Sequence, residues 1–156
     1  MKYIHQNICS VTKGVIAHGC NCQGVMGAGV AKALRDKYPN VFTEYAAFIK
    51  DWKKSKCEDE DLLGLVNFVN INESLIVANC LTQQLHGRDG RYAVPDAIKT
   101  SLSTTFYLAS SNELPLYLPK IGAGLGGLDW EQDVEPIVSE LATSFKDVDT
   151  YVCVWP

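Results

Sequence analysis

The chain has 156 residues, 47% of them hydrophobic, with 14 basic and 18 acidic side chains and a formal net charge of −4. This suits one domain of roughly 100–200 residues around a full core, and the acidic balance excludes the basic stripe of a general nucleic-acid or membrane-surface binder. No apolar run reaches the ~18–20 residues that span a bilayer, and no secretory leader opens the sequence, so the expectation is a cytoplasmic protein, monomeric, without membrane or stable nucleic-acid contacts.

Met1 to Ile8 reads as a short strand centred on Tyr3-Ile4, and the turn from Ser10 to Gly14 leads into a second strand, Val15-Ile16-Ala17-His18. From Ala17 to Leu34 the chain passes from small, β-prone residues through Gly24, Gly27 and Gly29 into helical spacing at Val30, Ala33, Leu34 and Tyr38. That is a strand, a glycine-rich loop and a helix start. Backbone comes close to a ligand where there is no Cβ, and the first N–H groups of a helix attract an anion. Pro39-Asn40 ends this helix, and Phe42, Tyr45, Ala46 and Ile49 repeat the spacing to about Trp52.

Lys53 to Asp61 reads as a solvated connector without chemistry. The runs Leu63 to Asn70 and Ser74 to Leu81, joined by Ile71-Asn72-Glu73, predict a hairpin. Thr82 to Tyr92 is a polar, glycine-punctuated loop placed where open α/β sheets bind ligands. Helical spacing returns from Pro95 to about Ser110, followed by a strand from Leu114 to Leu118. A second glycine-rich stretch, Leu118 to Trp130, repeats the logic of the first. Val134, Ile137, Val138 and Leu141 mark the last helix and Tyr151 to Trp155 the last strand. The order predicts an α/β fold of three layers with a mixed central sheet, in a single domain over 1–156.

The two glycine loops lack the G-x-G-x-x-G fingerprint and the G-K-[ST] of a P-loop, so they are a different cradle, able to clamp a diphosphate from both sides. Six cysteines occur. Cys9, Cys20, Cys22, Cys80 and Cys153 lie in apolar, strand-like surroundings and read as reduced core thiols, and the Cys20/Cys22 spacing does not suit zinc, so no metal is expected. No cofactor is expected either.

Taken together, the loops resemble those of a macrodomain, the ADP-ribose-binding module. The resemblance rests on Gly19 to Ala31 as the asparagine-plus-glycine loop, on Pro119 to Trp130 as the second phosphate loop, and on Asn7-Ile8 where the family has Gly-Asp-Ile. It is similar to the small stand-alone branch containing ADP-ribose 1″-phosphate phosphatases and ADP-ribosyl hydrolases. The resemblance implies a small-molecule ADP-ribose derivative as ligand. Asn7 and Ile8 would then meet the adenine, with the Asn7 side-chain oxygen accepting from its amino group. The N–H groups of Val25, Met26, Gly27, Ala28, Gly29 and Val30 would hold one phosphate and those of Gly122, Ala123, Gly124 and Leu125 the other, with Gly24 and Ile121 beside them as further ligand-binding positions. Asn21 would hydrogen-bond the distal ribose.

For chemistry, Asp129 stands where hydrolases of this kind use an aspartate, although it also suits a helix N-cap. Gln83 and Gln84 occupy the positions where those hydrolases have a lysine, and a glutamine forms no Schiff base. The loop offers His86, Arg88 and Asp89 instead, a set suited to a phosphomonoester, or else an exposed turn with an ion pair. His18 before the first loop is a candidate general acid/base or a satisfied core histidine. Tyr92 and Trp130 are candidates to stack on a base or simply to pack. The implied activity is hydrolysis of ADP-ribose 1″-phosphate with Asn21, His86, Asp129 and His18 as catalytic candidates; a non-catalytic ADP-ribose reader and an ADP-ribosyl hydrolase are the alternatives.

Overall fold

The structure is a computed structural model that describes residues 1–87 and 90–155. Six strands, β1 (Lys2–His5), β2 (Gly14–Asn21), β3 (Val66–Asn70), β4 (Leu75–Gln83), β5 (Leu116–Leu118) and β6 (Thr150–Val154), form one sheet in the order β1-β6-β5-β2-β4-β3. Every neighbouring pair is parallel except β3 with β4, the hairpin expected from the sequence. Parallel strands are covered on both faces and therefore read as nearly continuous apolar runs. That is the character of Val15 to Cys20 and of Leu75 to Leu81.

Helices α1 (Gly29–Lys37) and α2 (Pro39–Lys53) cover one face, and α3 (Pro95–Ser111) and α4 (Glu135–Ser144) the other. Alternation along β2 builds both cores at once. Val15 and Ala17 pack with Ile98, Leu102, Phe106 and Val138, whereas Ile16 packs with Leu34, Val41, Tyr45 and Ile49. Pro39 and Pro95 sit in the first turns of α2 and α3, where a missing N–H loses no hydrogen bond. The result is the expected three-layer α/β/α sandwich with a mixed sheet.

Local structure departs from the simple pattern in three places. β2 runs on to Asn21, so the first glycine loop begins later than expected and springs directly from a buried strand end. The last helix is preceded by a π-helical turn, Trp130–Val134, capped by Asp129. The connector after α2 closes in a 3₁₀ turn, Asp59–Leu62, because Leu62 is an apolar anchor within a polar run and is fully buried. The loops after β2, β4 and β5 leave the same edge of the sheet, where open α/β sheets place their ligands.

Candidate functional site

A cleft of about 520 Å³ opens at that edge, walled by the two glycine loops and floored by the ends of β2 and β4. Asn21, 7% exposed, organises the first wall. Its Oδ1 accepts from the backbone N–H of Gln23 at 2.9 Å and of Val25 at 3.3 Å, while its Nδ2 donates to the Val25 carbonyl at 2.8 Å. The amide thus replaces a backbone turn partner and fixes the loop against the strand end. Tyr45, buried on α2, completes the brace: its hydroxyl lies 2.7 Å from the Asn21 carbonyl and 2.8 Å from Asn21 Oδ1, and accepts from Gly24 N–H at 3.1 Å. Burial pushes that hydroxyl far above the ordinary phenol range, so it stays protonated and able to donate.

With those donors used, the N–H groups from Met26 to Ala31 have no acceptor among the described residues. Ala28, the residue before α1, offers no side-chain cap. The positive end of the helix therefore faces the cleft unmatched. The second wall is built by turns that leave the N–H groups of Gly122, Gly124, Leu125 and Gly126 without a described acceptor, since the internal bonds run from Ala123, Gly127 and Leu128 to Lys120, Gly124 and Gly122. Gly122 holds a φ of +78°. At Gly126 a Cβ would meet the Gly122 carbonyl oxygen at 2.6 Å and Ala93 Cβ at 2.9 Å, so this wall closes only on glycine.

Of the residues expected at the site, Asn21, Val25, Met26, Gly27, Ala28, Gly29, Val30, Ile121, Gly122, Gly124, Leu125, His18 and His86 line the cleft. Gly24 and Ala123 lie in the loops but outside the lining. Asn7 and Ile8 are also outside it: Asn7 caps a 3₁₀ turn by accepting from Cys9 N–H at 2.9 Å, and Ile8 is buried in the α1/α2 core. Asp129 is exposed away from the lining and accepts from Gln132 N–H at 2.9 Å, while its own N–H donates to Asp133 at 2.9 Å. This is the helix-capping role. Arg88 and Asp89 lie outside the described residues.

His18 is buried, with its Nε2 2.5 Å from Asn79 Oδ1; Asn79 in turn donates to the Val41 carbonyl and to Asn67. Burial lowers its pKa to about 4, against the smaller opposing effect of the Asn79 bond, so the ring is neutral at physiological pH. Trp130 is likewise a core residue, donating to Tyr3 Oη at 2.8 Å, and Tyr92 lies over Gly87 and Gly90. Cys20 reaches the lining, but burial raises its thiol pKa well above the ordinary range and no thiolate forms there.

Several contributors carry no signature in the sequence. Tyr45 reads as one more apolar helix position, and only the rule that a buried phenol needs a partner points to a polar duty. The connector expected to be free of chemistry supports the cleft instead: Gln23 Nε2 donates to Asp59 at 2.6 Å, and Lys53 pairs with Asp59 at 3.1 Å. These two contacts hold the Asp59 carboxyl below its usual pKa. Thr82, Gln83, Gly87 and Lys120 also line the cleft, and Gln83 donates to the Leu85 carbonyl. Among the described lining residues there is no carboxylate; His86 and Lys120 are its exposed ionisable groups.

The model of the Macro domain family matches residues 17–137. Among curated relatives, the chain is 28% identical to an ADP-ribose 1″-phosphate phosphatase of Scheffersomyces stipitis, over 85% of this chain and 86% of that protein. It is 29% identical to a DNA ADP-ribosyl glycohydrolase of Mycobacterium tuberculosis, over 85% of this chain but 36% of the relative. A solved macrodomain protein from Streptomyces coelicolor superposes with a TM-score of 0.79 at 28% identity, covering 99% of this chain and 97% of that one.

Proposed function

The chain belongs to the macrodomain family, and on that premise we propose that it binds ADP-ribose and hydrolyses the phosphomonoester of ADP-ribose 1″-phosphate, releasing ADP-ribose and inorganic phosphate. The observation that carries this reading is the donor arrangement. Two runs of unclaimed backbone N–H groups, Met26 to Ala31 and Gly122 with Gly124 to Gly126, face one cleft whose described lining bears no carboxylate. A diphosphate fits such a clamp because each phosphate meets fixed dipoles without the desolvation of a buried lysine.

The terminal phosphate then extends to Lys120 and His86, the exposed ionisable groups of the described lining. Lys120 supplies positive charge for a dianionic ester, and a ring nitrogen of His86 delivers a proton to the departing ribose oxygen. Water attacks phosphorus as the bond from phosphorus to that oxygen breaks. Gln83, whose amide is tied to the Leu85 carbonyl, forms no Schiff base, which supports a phosphatase over a lysine-dependent ADP-ribosyl hydrolase. We further expect a monomer in a reducing, cytoplasmic compartment, where free cysteines are ordinary.

Phosphate release from ADP-ribose 1″-phosphate tests the assignment. Wild-type protein is expected to turn over, and His86→Ala to lose about 100-fold or more in kcat, the usual worth of a general acid, while binding ADP-ribose normally. The carboxylate-free lining supports one other reading, a pure ADP-ribose reader. Tight calorimetric binding with no phosphate release by wild type would establish that reading and exclude the phosphatase.

A further inference from the structure

Thr82 stands apart from every other polar group in the cleft floor. Its Oγ1 is the only buried side-chain nitrogen or oxygen among the described residues without a hydrogen-bond partner, although the residue is 1% exposed. The neighbouring backbone explains how this arises. β2 and β4 pair in register from Gly14↔Leu75 to Cys20↔Leu81, and the next pair is Asn21↔Gln83, so the ladder steps over Thr82. A bulge of this kind re-aims a side chain and recurs beside active sites. The Thr82 carbonyl accepts from Val94 N–H at 2.8 Å, which fixes the backbone at this position.

The hydroxyl lies against Gly19 at the end of β2. A Cβ on Gly19 would meet Thr82 Oγ1 at 2.8 Å and Ile121 at 3.4 Å, so only a bare glycine leaves room beside the hydroxyl, and Gly19, Thr82 and Ile121 together line the cleft. A buried hydroxyl without a bond is disfavoured, and proteins rarely keep one unless water, an ion or a ligand completes it. Thr82 lies four residues before His86 on the same strand and loop, hence on the β4 side of the floor, at the end of the ligand where the ester is placed.

We infer that Thr82 is a ligand-binding residue whose hydroxyl hydrogen-bonds a hydroxyl of the sugar beyond the diphosphate, the terminal ribose, and so distinguishes ADP-ribose from ADP. A threonine hydroxyl suits a sugar diol because it both donates and accepts. The inference rests on the ADP-ribose reading of the cleft but not on turnover.

The test is calorimetric affinity for ADP-ribose and for ADP, which lacks the terminal ribose, with thermal melting of the ligand-free protein, for wild type, Thr82→Val and Thr82→Ser. Thr82→Val is expected to weaken ADP-ribose by about tenfold, the worth of one hydrogen bond, to leave ADP unchanged, and to keep or raise Tm because a disfavoured buried hydroxyl is gone. Thr82→Ser, which retains the hydroxyl, should bind ADP-ribose nearly as wild type does. An unchanged ADP-ribose affinity in Thr82→Val overturns the inference, as does an equal loss for both ligands. Should Thr82→Val be destabilised by its methyl beside Gly19, Thr82→Ala carries the same comparison without that bulk, and an unchanged ADP-ribose affinity in Thr82→Ala overturns the inference. Failure of wild type to bind ADP-ribose overturns the functional reading and this inference together, whereas binding by wild type with no effect of Thr82→Val overturns this one alone.

Discussion

Tyr45 shows how a single hydroxyl in the core can govern a surface loop. Its phenol oxygen joins the Asn21 backbone, the Asn21 amide and Gly24 N–H, so Tyr45→Phe leaves buried polar groups unmatched at the root of the first glycine loop. Urea denaturation should show a loss of about 1–3 kcal/mol, the cost of unsatisfied buried groups, and calorimetry a weaker ADP-ribose complex, because the donors from Met26 to Ala31 are no longer held in place. His18 makes a different prediction. Its folded pKa is lowered from 6.5 to about 4 by burial, so the unfolded chain binds more protons between those values. The stability it contributes is complete above pH 6.5 and is lost as pH falls from 6.5 toward 4. Melting curves across that window should decline by about 3 kcal/mol through this group, from the linkage of pKa to free energy, and His18→Gln should flatten the decline. An unaltered slope in the variant would assign the acid sensitivity to other groups.

Among the elements, α1 presents its open N-terminus to the cleft, and this trades stability for binding. Ala28 precedes the helix with no cap, and an aspartate there would accept from the first-turn N–H groups while placing negative charge where a phosphate belongs. Ala28→Asp is expected to raise unfolding free energy by about 1 kcal/mol, the ordinary worth of a cap, and to weaken ADP-ribose at least tenfold by calorimetry. An unchanged ADP-ribose affinity in the folded variant would mean that this helix end is not an anion site. The glycine spacing around α1 was legible in the sequence because backbone donors need glycines and a helix start, both of which are local patterns. The strands were legible for the same reason: Val15 to His18 and Leu75 to Leu81 carry their burial on their faces. What local pattern could not show is partnership at a distance. Asn21 reads as a ribose contact in isolation, yet its amide is engaged with Gln23, Val25 and Tyr45, the last of them 24 residues on. Asp129 reads as catalytic or as a cap, and its contacts with Gln132 and Asp133 display the cap, which local pattern alone could not show. The step in the β2/β4 ladder at Thr82 has no signature in Leu81-Thr82-Gln83-Gln84, because a bulge belongs to the pair of strands and not to either one.

At the scale of the whole molecule, a protein with net charge −4 must draw a polyanionic ligand into its cleft against its own mean field. The architecture resolves this by converging fixed dipoles from two loops at one edge of the sheet, where the described lining contributes a single lysine and no carboxylate. Dipoles held in a recessed cleft act over a few ångströms, a shorter range than the screening length of about 10 Å at 0.1 M salt. A site that relied on exposed lysines would instead lose affinity steeply as that length contracts. ADP-ribose affinity measured by calorimetry should therefore change by less than about threefold between roughly 50 and 500 mM KCl, the short-range bonds being little screened. A loss of tenfold or more over the same range would show that exposed cations, Lys120 foremost, hold the ligand in place of the backbone. Lys120→Ala separates these outcomes. With backbone donors dominant, it should lower the affinity for ADP-ribose only slightly and that for ADP-ribose 1″-phosphate more, because the proposed pose sets the lysine at the extra phosphate and the loops at the two shared by both ligands.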